Sequence, residues 1–65
     1  MPKAVYGNIE KERTQMGLNK TELSEKLGIT RRHYNNYIAG KTPIPSTILI
    51  KLSQLFNCSV DYLLS

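Results

Sequence analysis

The sequence predicts an all-α fold, a compact bundle of four to five short helices. Three observations carry this. Apolar residues recur three or four positions apart in several short stretches, which is the spacing of a buried helix face. These stretches are punctuated by residues that cap a helix start and by glycines or prolines that stop one. No stretch sustains the alternation of a half-buried strand. The 65 residues make one domain, residues 1–65, near the lower size at which a chain buries a core without covalent staples.

Val5, Ile9, Met16 and Leu18 supply the stripe of a first helix over roughly residues 3–16. Gly17 follows, where a C′ glycine belongs. Asn19 opens a second helix, residues 20–27, with Glu22 three positions on to complete a capping box. Leu23 and Leu27 lie on its inner face, and Ser24 is small where a neighbouring helix approaches. Gly28 stops it. Thr30 is the next N-cap, opening a third helix over residues 31–38 with Gly40 beyond its end. The prolines of Lys41–Pro45 (KTPIP) force a loop. Ser46 or Thr47 then caps a fourth helix to about Phe56, with Ile48, Leu49, Leu52, Leu55 and Phe56 as its buried stripe. Ser59 opens a last short turn in which Val60, Leu63 and Leu64 close the core.

Several chemistries are excluded by composition. Cys58 is alone, so no intrachain disulfide forms, and its apolar surroundings mark it as a small core residue. One cysteine with one histidine cannot build a structural zinc site. No nucleophile–base pair can be assembled, so the chain is not expected to be an enzyme, and no cofactor is called for. No apolar run reaches signal-peptide or membrane length. The expectation is a soluble, cytoplasmic protein that engages no membrane.

The net charge of +4 is unevenly spread. Residues 1–25 balance Lys3, Lys11, Arg13 and Lys20 against Glu10, Glu12, Glu22 and Glu25. Residues 26–60 hold Lys26, Arg31, Arg32, Lys41 and Lys51 and no acid. A basic half beside a balanced half suits a polyanion. The four glutamates are expected on a solvated face or at helix ends.

The third helix, RRHYNNYI, sharpens this reading. At about 100° per residue, Tyr34, Tyr37 and Ile38 share one inward arc. Arg32 and Asn36 project opposite, with Asn35 and His33 on the flanks and Arg31 at the N-terminus. Ordinary solvated faces favour Glu and Lys. Arg and Asn are instead the bidentate partners of guanine and adenine in the major groove. So short a helix has little stability of its own and must be held by its apolar side. Residues 28–30 form a tight turn between two short helices pinned by Leu23, Leu27, Ile29, Tyr34 and Tyr37, which is a helix-turn-helix. Tyr6 and Tyr62 are expected half-buried or at an interface.

Gly17-Leu18-Asn19-Lys20-Thr21-Glu22-Leu23, Leu27-Gly28-Ile29-Thr30, Gly40-Lys41-Thr42 and the closing LIKLSQLFNCSVDYLL resemble the Cro/repressor, or XRE, type of helix-turn-helix domain, from about Ile9 to Leu64. The resemblance implies a five-helix domain that binds double-stranded DNA, regulates transcription as a repressor and acts as a homodimer on a two-fold operator. It puts Arg31, Arg32 and Asn36 where relatives read bases, with His33 and Asn35 nearby. It puts Asn19, Lys20, Thr30 and Lys41, together with Thr42, where relatives hold phosphates, and Arg13 as a further phosphate candidate. Two departures stand out: Lys20 replaces the usual Gln, and Ile38 replaces an acid that commonly pairs with the first-helix arginine. Arg13 is therefore expected to lack a partner. An antitoxin or a protein-interaction module could use the same fold. No effector-sensing domain follows residue 64, so no small-molecule ligand is expected.

Overall fold

A residue at positive φ follows each of the first four helices: Gly17, Gly28, Gly40 and Asn57. In the computed structural model, which describes residues 6–65, the helices are α1 (Gly7–Gln15), α2 (Lys20–Leu27), α3 (Arg31–Ile38), α4 (Ser46–Phe56) and α5 (Val60–Leu64). No strand occurs among the described residues.

The first three stops share one mechanism. After α2 the Gly28 N–H donates to the Glu25 carbonyl at 3.1 Å and the Ile29 N–H to the Ser24 carbonyl at 3.0 Å. These paired bonds satisfy the last carbonyls and need a left-handed residue between them. Gly28 takes φ 73°, which costs glycine nothing. The same crossed pattern ends α1, through Gly17 to Thr14 and Leu18 to Arg13, and α3, through Gly40 to Tyr37 and Lys41 to Asn36. The side chain of Lys51, from α4, donates to the Leu27 carbonyl at 3.3 Å and places positive charge at the α2 C-terminus.

The core consists of Ile9, Leu23, Leu27, Tyr34, Ile38, Ile48, Leu52, Phe56 and Leu63, with Leu18, Ile29, Tyr37, Ile44, Leu55 and Cys58 packed at its edge. It joins all five helices, with α2 against α3 and α5 against both α1 and α4. Tyr6 and Tyr62 also pack partly buried against it, as expected. Buried Ser24 spends its hydroxyl on the Lys20 carbonyl at 2.7 Å, so a polar side chain fits at the helix contact.

Four expectations are corrected. α1 begins at Gly7 behind an uncapped Tyr6, not at residue 3; residues 3–5, including Val5, lie outside the described residues. Met16 is 47% exposed. The turn at Gly17 ends the helix there, and Leu18 folds back onto the core instead. Neither Ser46 nor Thr47 caps α4: Pro45, extended at φ −61° and ψ 149°, occupies that position and supplies no side-chain acceptor. Ser46 has already entered the helix. Finally, Leu64 is exposed, and Leu63 alone of the closing leucines is buried.

Candidate nucleic-acid interface

The helix-turn-helix is assembled by its caps. Asn19 Oδ1 accepts from the Glu22 N–H at 2.7 Å, and the Asn19 N–H donates to Glu22 Oε1 at 2.9 Å. This reciprocal box fixes where α2 starts and leaves the Asn19 side-chain amide hydrogens outside it. Beyond the Gly28 turn, the N–H of His33, three residues after Thr30, donates to Thr30 Oγ1 at 3.1 Å. A hydroxyl that accepts a cap bond keeps its own proton to give to an anion. Thr30 can therefore cap α3 and hold a phosphate together.

α3 is split along its length. Tyr34 is 1% and Ile38 7% exposed, and they seat the helix in the core. Arg31, Arg32, His33 and Asn35 are exposed, Asn36 is half-buried, and Tyr37 is half-buried beside the core. The imidazole of His33 stacks on Tyr37, ring centres 6.4 Å apart and planes 20° apart. That contact one turn along holds the imidazole against the helix. The Asn36 carbonyl accepts from the Lys41 N–H at 3.0 Å and the Thr42 N–H at 3.4 Å, which ties the start of the following loop to α3. Lys41 and Thr42 are exposed. α4 opens without a side-chain cap, and its exposed Ser46 and Thr47 leave first-turn N–H groups to solvent.

Arg13 is the clear correction. It has partners: Nε donates to Glu10 Oε2, in an ion pair, and Nη1 donates to the Leu18 carbonyl at 2.6 Å. Its side chain is 14% exposed. The hydrogen bond to Glu10 raises its pKa further above the ordinary arginine value, against a smaller opposing effect of burial. With Ile38 filling the α3 site by packing, the acid that serves Arg13 comes from one turn earlier on α1. The guanidinium is thus engaged within the protein, and the expectation that it lacks a partner is overturned.

Glu10 is the connecting residue that sequence reasoning undervalued. Its Oε2 also accepts the Tyr34 hydroxyl at 3.0 Å, and its Oε1 lies 3.9 Å from Lys20 Nζ. One carboxylate therefore touches α1, α2 and α3. Burial, reinforced by Glu10, pushes the Tyr34 hydroxyl well above the ordinary tyrosine range. The signal available was the three-residue spacing of Glu10 and Arg13. Glu12 likewise is no mere solvated charge: it accepts from the Tyr62 hydroxyl at 3.0 Å, which raises that hydroxyl's pKa and joins α5 to α1. Asn8 adds to this seam by donating to the Tyr62 carbonyl at 2.8 Å. Cys58 packs as a small core-edge residue, its thiol pushed up by burial.

Among the described residues no group of three or more His, Cys, Asp or Glu could hold a metal ion, and no helix is long and apolar enough to cross a membrane. A helix-turn-helix family model matches residues 9–63. Three relatives from Bacillus subtilis (strain 168) are similar: the uncharacterized HTH-type transcriptional regulator YqaE, 39% identical over 57 residues, 88% of this chain and 49% of that protein; the SPbeta prophage-derived uncharacterized HTH-type transcriptional regulator YonR, 38% identical over 56 residues, 86% of this chain and 52% of that protein; and the HTH-type transcriptional regulator ImmR, 36% identical over 56 residues, 86% of this chain and 44% of that protein. The chain spans about half the length of these relatives.

Proposed function

The chain belongs to the helix-turn-helix family, and on that premise we propose that it binds double-stranded DNA as a sequence-specific transcriptional repressor. The observation that carries this reading is the division of α3. Tyr34 and Ile38 lock one side into the core while Arg31, Arg32, His33 and Asn35 stand exposed and Asn36 half-exposed on the other. A helix so held presents paired hydrogen-bond donors and acceptors at the width of a major groove. The relatives' naming as transcriptional regulators supports the same conclusion.

Arg31, Arg32 and Asn36 read base edges, with His33 and Asn35 at the margins. Asn19, Lys20, Thr30, Lys41 and Thr42 grip the backbone, and the open first turn of α4 adds N–H donors. Phosphate contacts supply the salt-dependent affinity and the α3 side chains the discrimination. One such module reads few base pairs, so two copies occupy half-sites about one helical turn apart. Occupying the site keeps polymerase or a rival regulator from it. Fluorescence-anisotropy titration of a random duplex across salt concentrations tests the binding: log affinity should fall linearly with log salt, by about 0.9 per phosphate contacted. Binding without a slope, or none at all, would leave the fold as a protein-interaction module.

A further inference from the structure

The carboxylate of Glu10 lies where an anion would sit if one were bound between Arg13 and Lys20. Its Oε2 is taken by Arg13 Nε and the Tyr34 hydroxyl. Its Oε1 faces Lys20 Nζ at 3.9 Å, too far for a hydrogen bond but close for two opposite charges. The side chains are 20% and 38% exposed, so the pair is neither sealed in the core nor fully screened. Lys20 is the first residue of α2, where the positive end of the helix dipole disfavours an ammonium group. A lysine so placed needs a nearby anion, and Glu10 supplies one internally. Tyr34, whose helix carries the exposed arginines, fixes the same carboxylate in place.

We propose that Glu10 is an internal competitor of the DNA backbone: it partly neutralises Lys20 and so restrains the grip on phosphate. This rests on the DNA-binding reading above. A phosphate approaching Lys20 must share it with Glu10, whereas Lys41, exposed in the loop after α3, has no carboxylate beside it among the described residues. The two lysines therefore contribute unequally. Lys41 counts as a full backbone contact and Lys20 as a fraction of one.

The test uses the full chain and a random-sequence duplex, with affinity measured across a salt series and folding checked by circular dichroism. Glu10→Gln keeps an oxygen for Tyr34 and Arg13 but removes the charge. It should bind random duplex about twofold to fivefold more tightly at low salt, the range of one partly exposed ion pair, with a salt slope steeper by up to about 0.9. The gain should vanish when Lys20→Ala is added. Should Glu10→Gln not fold, the single variants decide: Lys20→Ala should lower the slope by clearly less than Lys41→Ala does. A folded Glu10→Gln that binds no more tightly than the parent overturns the proposal, as does a gain that survives Lys20→Ala or equal slope losses from the two lysines. A parent without salt-dependent binding overturns the DNA-binding reading itself, and this inference with it.

Discussion

Removing one oxygen, in Tyr34→Phe, should destabilise the fold in a way that depends on pH. The hydroxyl donates to a carboxylate at 3.0 Å from a side chain that is 1% exposed. Hydrogen bonds to charged groups contribute about 1.5–3 kcal/mol. Glu10 keeps Arg13 and is reachable by water, so the low end applies, and the expected loss at pH 7 is about 1.5 kcal/mol. The hydroxyl titrates well above the ordinary range when folded, but near pH 10 when unfolded. Above about pH 10 the folded chain holds a proton that the unfolded chain has released. The stabilisation from Tyr34 is therefore complete below that pH and is lost as pH rises through the folded value. At pH 11 the parent should have lost roughly 1 kcal/mol of it, and the phenylalanine variant none. Titrations common to both proteins cancel. Urea unfolding of both at pH 7 and pH 11 should show a gap that clearly narrows at the higher pH. A gap under about 0.5 kcal/mol at pH 7, well short of a charged hydrogen bond, or one unchanged at pH 11, would refute the Tyr34–Glu10 link.

Arg32→Ala should cost roughly 1–3 kcal/mol on the preferred site and flatten preference at one base pair, whereas Lys41→Ala should weaken all duplexes alike and lower the salt slope by about one; quantitative binding to matched and mismatched duplexes separates the two. Gly28→Ala should lose roughly 1–2 kcal/mol in denaturant unfolding because of its φ of 73°; a Cβ there meets nothing nearer than Lys51 Nζ at 3.9 Å, so crowding would not explain the loss. Ile38→Glu removes a 7% exposed side chain worth roughly 1.5–3 kcal/mol. Arg13 is already paired with Glu10, so a double-mutant cycle with Arg13→Ala should return little coupling between 13 and 38.

Where structure depended on neighbours in the chain, it was legible. The Asn19–Glu22 box, the Thr30 cap and the positions of Gly17, Gly28 and Gly40 are all local, and each formed as the spacing implies. The inward phase of Tyr34 and Ile38 followed from helix geometry alone. Part of what escaped was set by partners distant in sequence. Tyr34 finds Glu10 24 residues away, and Lys51 reaches the Leu27 carbonyl across the same separation; no periodicity announces either. Met16 kept the phase of the α1 stripe but lost its burial, because the chain turns at Gly17 and Leu18 takes up packing on the core. At Pro45 a fixed φ near −65° let the helix begin one residue before the expected hydroxyl could cap it. The base-reading and phosphate roles rest on exposure and spacing, and binding experiments decide them.

The most direct test of the central claim is selection of bound sites from random duplex DNA by the intact chain, followed by alignment of the recovered sequences. Two exposed arginines at the start of α3 should enrich guanine-containing half-sites. These should recur as inverted repeats with centres about one helical turn apart. Recovered sequences with no shared motif, or the same enrichment from an Arg31→Ala/Arg32→Ala double variant, would contradict the assignment of α3 as the element that reads DNA.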